Sequence, residues 1–344
     1  MQYAEMRAAV RSGVTDGRTF FTRSGGVWAG TMMRAAINAG RPLTPAVLRT
    51  NTTLRRDEWI FFDDQVITAA IVPLRGIADL VASGLVRTIP NGMAKTVLGY
   101  ETAGTMEPAI VSMDGVTRSE LDRVEFGTGG LPMPITHKDF NIDLRTLLAS
   151  RERGEPLDAM QSRIAGQKVG EMSEFMLFNG GPTFQGLHIY GYLTHPNRNL
   201  LSFGTGGNWA QAAKTGAQIL TDVLTMVAAA VTDGKVGPYF LYYSSDAVVA
   251  LSNDFKATGD LSVTQRLLQI PQIKNIQMAE QLPPATVVLV QATVDVVELI
   301  RGEALQTVEW EIVGPFLSGF KAFQIEIPLV RADADGKCGI VVMQ

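Results

Sequence analysis

The chain has 344 residues, of which 46% are hydrophobic and 19% charged, with a formal net charge of −4 and a pI of about 5.5. This composition allows a large buried core, argues against global disorder, and does not by itself suggest a nucleic-acid partner. A single cysteine, Cys338, excludes an internal disulfide and a cysteine-built metal site. The opening residues, MQYAEMR, lack the apolar core of a signal peptide, so a soluble protein of a reducing compartment is expected.

Positive charge is concentrated in the N-terminal segment. Nine arginines, no lysine and only two acidic residues precede Asp57, which places +7 there and leaves −11 on the rest of the chain. Two interpretations stay open: a solvated arm, or an arm that faces a polyanion, since clustered arginines suit phosphates in geometry as well as charge. The residues that would face such a polyanion are Arg7, Arg11, Arg18 and Arg23.

The next predicted elements are helices and a hairpin. A short helix is predicted at 27–38, and an amphipathic helix after Asp64 is expected to bend at Pro73. From Met106 to Phe126 the pattern is typical of a long hairpin, with its tip at Met113-Asp114-Gly115 and a charged return strand. Because an isolated two-stranded ribbon is marginal in water, the hairpin must pack on its own domain or on another subunit.

Further along, strands and helices alternate. Alternating Phe140, Ile142 and Leu144 predict a half-buried strand. A helix of over twenty residues follows from Leu157 and ends at Asn179, and its methionine-rich stripe indicates core packing. The remaining predicted elements are a helix from Trp209 to Val231, a strand at 239–243, helices at 246–252 and 263–268, strands at 286–291 and 294–299, and a closing hairpin that turns at Asp335-Gly336.

The pentapeptide FGTGG occurs twice, at 126–130 and at 203–207, which raises the possibility of phosphate binding. A Walker loop requires Gly-Lys-Ser/Thr before a helix, but the two copies continue as Leu-Pro and as Asn-Trp. The dinucleotide spacing G-x-G-x-x-G is missing as well. Both copies are therefore predicted to be turns, and no cofactor is expected.

Other catalytic and metal patterns are also missing. His137, His188 and His195 are far apart in sequence and lack an HExxH context, and no G-x-S-x-G elbow occurs. The Asp333-x-Asp335-Gly336 stretch lacks the later ligands of a calcium loop. No catalytic, cofactor-binding or metal-binding residue is predicted, which weighs against an enzyme.

The stretch from Leu131 to Gly180 resembles the encapsulin family and the related tailed-phage major capsid proteins. The matching motifs are Leu131-Pro132-Met133-Pro134, Glu152-Arg153-Gly154 with Pro156, Phe178-Asn179-Gly180 and Gly237-Pro238-Tyr239. Each motif is short, but they occur in the family's order over residues 60–344. The extra residues in front of this region, which include the arginine-rich arm, depart from the usual encapsulin start.

The resemblance implies an α+β, tailed-phage major capsid protein fold. It assigns an N-terminal arm (1–60), a helix and lead-in (61–94), an extended hairpin loop (95–135), a peripheral domain with a spine helix (136–190), an axial domain (191–306) and closing strands of the peripheral domain (307–344). The first FGTGG would form the base of the extended loop, and the second would lead into the first axial helix.

The function implied by the resemblance is structural. The chain would assemble with itself, as pentamers and hexamers, into an icosahedral shell around the double-stranded DNA of a tailed phage or prophage. Portal, scaffold and decoration proteins would be further partners, with no membrane, and the location would be the virion capsid after assembly in the host cytoplasm. Two alternatives stay open: an encapsulin shell around protein cargo and, more remotely, a nucleotide-using enzyme.

Overall fold

We describe the protein from a computed structural model. The structure describes residues 64–70, 74–103, 126–143, 160–255, 261–312, 317–333 and 335–344, together with residues 111 and 113. The α-helices in these ranges are α1 (Gly76–Ala82), α2 (Met160–Asn179), α3 (Gly216–Thr232), α4 (Val248–Ser252) and α5 (Val263–Leu268), with a further helical stretch at 64–70. Short 3₁₀ helices occur at Gly92–Ala94 and Ser245–Ala247. The strands are β1 (Val86–Thr88), β2 (Val97–Ala103), β3 (Phe126–Pro132), β4 (Thr136–Asp143), β5 (Asn199–Leu201), β6 (Tyr239–Tyr243), β7 (Ile273–Met278), β8 (Val287–Gln291), β9 (Val297–Ile312), β10 (Leu317–Val330) and β11 (Ile340–Met343).

A five-stranded sheet has the order β5-β11-β8-β6-β7. Its central strands are continuous apolar runs, and every residue of β8 and β11 is buried, as expected for strands that are covered on both faces. Because successive side chains of a strand point to opposite faces, the sheet contributes to two separate clusters. One cluster includes Phe240, Tyr242, Val288, Val290, Ile340 and Val342, and the other includes Tyr239, Leu241, Val287, Leu289, Val341 and Met343.

A four-stranded sheet has the order β1-β9-β10-β4. Strand β9 begins at Val297 and is 16 residues long, whereas the sequence pattern predicted a strand at 294–299. In β4, Phe140 and Ile142 are buried between exposed neighbours, so the predicted alternation is confirmed at these two residues, while Leu144 lies outside the described residues.

The prediction that the last two strands pair as a closing hairpin is wrong for most of their length. Gly336 has a positive φ of 76°, which fits the predicted turn. Among the residues that the structure describes here, however, a single bridge between Ala332 and Cys338 joins the two sides. Strand β11 then pairs with β8 and β5 rather than with β10. Its unbroken apolar run can be buried on both faces there, which a terminal hairpin does not offer.

The chain folds into two compact units. One includes residues 137–166 and 305–323 together with the described residues up to 69. In this unit the rings of Phe140 and Phe320 stack with centroids 5.6 Å apart. The other includes residues 70–136, 167–304 and 324–344, and contains the two clusters of the five-stranded sheet. The domain boundaries implied by the resemblance remain a prediction.

Candidate assembly surfaces

Strands β2 and β3 form a two-stranded antiparallel ribbon. The pairing runs from Val97 opposite Pro132 to Ala103 opposite Phe126, so the first FGTGG is a strand and its prediction as a turn was wrong. The reason lies across the ribbon. The Tyr100 ring lies where a β-carbon on Gly129 would be, so glycine here makes room for an aromatic neighbour on the opposite strand.

The ribbon leads to the segment predicted as the extended hairpin. Between β2 and β3 the structure describes two residues of that segment, Val111 and Met113, and both are almost fully exposed, at 96% and above. The rest of the predicted hairpin, including Asp114 and Gly115, lies outside the described residues. The antiparallel pairing of β2 with β3 accounts for the chain on either side of the segment, and the contact made by its tip remains a prediction.

A cleft of about 530 Å³ lies beside the ribbon, and its lining includes Arg87, Tyr100, Glu101 and Arg331. Both arginines also approach the buried Glu298, whose Oε2 is 2.5 Å from a guanidinium nitrogen of Arg331 and 3.5 Å from one of Arg87. Burial raises the pKa of the Tyr100 hydroxyl. Two arginines and two glutamates balance in charge, so the cleft is not a strong anion site.

The second FGTGG is a turn, as predicted. The Gly207 N–H donates to the Gly204 carbonyl at 3.2 Å, and Gly206 and Gly207 have positive φ angles of 92° and 75°. Helix α3, however, begins at Gly216 rather than at Trp209. Its N-cap is Thr215, whose hydroxyl accepts from the Gln218 N–H in a capping box.

The segment between this turn and α3 is fixed by a buried ion pair that the sequence did not reveal. Lys214 Nζ lies 2.7 Å from Asp222 Oδ2, with the two side chains 0% and 4% exposed. Asp222 also accepts from Trp209 Nε1 at 2.9 Å and from the Gly204 N–H at 3.2 Å. A cation therefore does lie beside the glycine turn, but it is buried against a carboxylate, which leaves no charge to bind a phosphate.

Helix α2 ends as predicted, with Gly180 at a positive φ of 80° after Asn179. The backbone of the 64–70 stretch packs directly against Gly166 and Gly170 of this helix. A β-carbon at Gly166 would overlap the carbonyl oxygen of Val66, and one at Gly170 would overlap that of Ala70. The prediction that the methionines of this helix pack in the core is confirmed for Met176, which is buried. It was wrong for Met160 and Met172, which are 63% and 38% exposed.

A carboxylate of α2 caps helix α1. Glu174 accepts from the backbone N–H groups of Arg75, Gly76 and Ile77 at 2.7–3.2 Å, at the positive end of the α1 dipole. Burial nevertheless raises the pKa of Glu174. Burial also raises the pKa of Asp79, a carboxylate of α1. Asp79 accepts from Tyr242 Oη at 2.9 Å, from Asn275 Nδ2 at 2.7 Å and from Gln277 Nε2 at 3.2 Å.

The remaining predicted site residues, Arg7, Arg11, Arg18 and Arg23, lie outside the described residues. Within the ranges that the structure does describe, no group of three or more His, Cys, Asp or Glu side chains could hold a metal ion. In the same ranges no helix is both long and apolar enough to cross a membrane.

The chain is similar in fold to several solved structures of capsids and of a virus-like particle. The virus-like particle from Pyrococcus furiosus matches with a TM-score of 0.61 at 14% identity, covering 84% of this chain and 99% of that one. The capsid of Myoviridae phage XM1 matches with a TM-score of 0.57 at 9% identity, covering 76% and 90%. The capsid of a native GTA particle matches with a TM-score of 0.57 at 12% identity, covering 78% and 90%.

These likenesses define the class of fold: the chain has the mixed α and β fold of tailed-phage capsid subunits, and the expected fold class is confirmed. The chain belongs to the family described as "Family of unknown function (DUF6260)", which matches residues 49–342. A comparison with curated proteins finds no match.

Proposed function

We propose that the protein is a major capsid protein, a non-enzymatic subunit that assembles with itself into an icosahedral shell of pentamers and hexamers. The observation that carries the proposal is the fold, which matches capsid subunits of phage XM1 and of the GTA particle over 90% of their chains. The chain also exposes large apolar side chains, which agrees with a subunit that meets other copies of itself. Val111 and Met113 on the ribbon segment are the strongest example.

The proposed content of the shell is the double-stranded DNA of a tailed phage or prophage. The arm before Asp57 carries +7 on a chain that is otherwise −11. An acidic exterior and a basic lining would keep particles apart in solution while neutralising part of the genome. Portal and scaffold proteins are the expected partners, and the location is the virion capsid after assembly in the host cytoplasm.

A cargo-enclosing shell is the second candidate, because the virus-like particle from Pyrococcus furiosus matches along 99% of its chain. The two candidates differ in their contents. A phage shell is expected to carry nuclease-protected DNA of mixed sequence, whereas a cargo compartment is expected to carry a stoichiometric protein and no DNA.

The test is electron microscopy of the purified protein, alone and co-produced with the proteins encoded beside it, followed by nuclease treatment and analysis of the contents. Closed particles with protected DNA would support the first candidate, and closed particles with a co-purifying enzyme the second. A monodisperse monomer at high concentration, over a range of salt and with neighbouring proteins present, would contradict both.

A further inference from the structure

The outward face of helix α3 carries no charge. Asp222 is the one charged residue of this 17-residue helix, and it is buried against Lys214. The exposed positions of α3 are Ala217, Thr221, Leu224, Thr225, Ala228, Val231 and Thr232, which we call the α3 face. Surface helices normally present charged or polar residues to water, and α2 does so with exposed Arg163 and Lys168.

The threonines of the α3 face do not require water for their hydroxyl protons. Thr221, Thr225 and Thr232 each donate to the carbonyl four residues earlier in the same helix, at 2.9–3.0 Å. The side-chain donors are therefore satisfied within the helix, and burying the face would leave none of them unpaired. Leu224 and Val231, 48% and 43% exposed, add the larger apolar groups.

The spacing of the α3 face is that of a packing seam. Positions 217, 221, 224, 228 and 231 recur at intervals of four and three residues, which places them in one line along the helix. The face has no cation for a nucleic acid or an acidic lipid surface and no anion for a basic partner, so charge complementarity favours an uncharged protein surface over these partners.

We infer that the α3 face packs against a second copy of the chain in the assembled particle. This inference rests on the proposed function, which makes other copies of the chain the surfaces that each subunit meets at high local concentration. The size of the face agrees with that setting. A 17-residue helix about 25 Å long and about 10 Å wide presents about 250 Å², well below the roughly 800 Å² per partner of a stable pairwise interface.

An area that small cannot hold an isolated dimer, but it fits one patch of a larger contact between neighbours in a ring. Such contacts are heterologous, so the α3 face would meet a different surface of the next copy rather than itself. The face should accordingly be buried in particles and exposed in free subunits.

The first experiment measures that burial directly. Leu224→Cys particles are treated with a maleimide and compared with particles of Val236→Cys and of Val294→Cys, whose positions are 61% and 50% exposed in the free chain. The native Cys338 is buried, and burial raises its pKa to about 11, so it contributes little background. We expect labelling at 224 to be about tenfold or more slower than at the faster reference position, since interface cores pack like protein interiors. Equal rates at all three positions in intact particles would overturn the inference.

The second experiment places a charge in the α3 face. Val231→Glu should leave the subunit folded, with an unchanged melting transition, but prevent closed particles, whereas the matched Val236→Glu should still form them. Normal particles from Val231→Glu would overturn the inference. So would protection of position 224 that appears only when another protein is co-produced, because the occupant would then be that protein. If the unaltered chain forms no particles at all, it is the proposed function that fails.

Discussion

At the scale of single residues, His195 is a buried imidazole whose protonation opposes folding. Its Nδ1 accepts from the Asn197 N–H at 3.2 Å, and the side chain is 6% exposed. Burial, with a smaller contribution from the nearby Arg198, lowers the pKa of His195 from 6.5 to about 4. Between these values the unfolded chain binds a proton that the folded chain does not, so stability is fully present above about pH 6.5 and falls on acidification.

We therefore expect His195→Asn, which keeps an oxygen acceptor near the position of Nδ1, to flatten the pH dependence of unfolding between pH 7 and pH 5. Over this pH range the effect should be at most about 2 kcal/mol, because only the part of the pKa shift between pH 6.5 and pH 5 contributes, at about 1.4 kcal/mol per pH unit. Chemical denaturation at several pH values measures it. Asp79 and Glu174 have raised pKa values, so their protonation stabilises the folded chain on acidification. This contribution is present in both the variant and its parent and does not affect the comparison. Parallel curves for variant and parent would contradict the prediction.

The Lys214–Asp222 pair is the second residue-scale feature with a measurable consequence. Lys214→Met leaves a buried carboxylate without its counter-charge, which typically costs about 3–5 kcal/mol of unfolding free energy. Lys168→Met is the matched control, because Lys168 pairs with Glu171 at the surface and its loss should cost less than about 1 kcal/mol. Adding Asp222→Asn to Lys214→Met should recover part of the loss. Equal unfolding curves for the two lysine variants would show that the buried pair contributes nothing.

At the scale of elements, the two FGTGG segments show what local sequence can and cannot specify. The copy at 203–207 is a turn because its glycines adopt positive φ angles that other residues rarely adopt. The copy at 126–130 is a strand because it pairs with residues 97–103 and makes room for Tyr100. The two pentapeptides have the same sequence, but the secondary structure of the first depends on a pairing strand about thirty residues away, which a local pattern cannot encode.

Helix α2 shows the same limit for burial. Its position and its end at Asn179 followed from periodicity and from the glycines after it. That Met160 and Met172 are exposed did not follow, because an apolar stripe looks the same whether its own chain or another one covers it. Lys214 and Glu174 were missed for a related reason, since each acts through a contact with a different element.

The extended hairpin is the element whose assembly role can be tested most directly. We expect deletion of Val111 to Arg118 to leave a folded subunit, because β2 and β3 pair independently of the tip, but to abolish particles. Val111→Ser combined with Met113→Ser should weaken assembly without changing the length of the loop, and Val236→Ser is the control at another exposed valine. Sedimentation and electron microscopy provide the readout. Normal particles from the deletion variant would exclude the loop as an assembly element.

At the scale of the whole molecule, we expect the proposed assembly to be held by non-covalent contacts along this loop. No lysine occurs between Glu101 and Thr136, so a covalent link from a loop lysine is not available. Many small contacts, each below the size of a stable pairwise interface, would then have to act together. An almost fully exposed Met113 and an uncharged α3 face would each supply one of these small contacts.

The charge distribution of the whole chain yields the last prediction, which concerns the arginine-rich arm. If the arm lines the inside of a DNA-filled shell, changing Arg7, Arg11, Arg18 and Arg23 to glutamine should leave empty particles intact while packaged DNA falls. The matched control changes the same four residues to lysine. Because phosphate neutralisation depends chiefly on charge and is independent of sequence, the lysine variant should retain most of its DNA and lose it more readily as salt is raised. The competing account is that these arginines pair with acidic residues of neighbouring subunits, among them Glu120, Asp122 and Glu125. In that case the glutamine variant would fail to form particles at all, with no earlier defect in DNA content, and the arm would be an assembly strap rather than a lining for the genome.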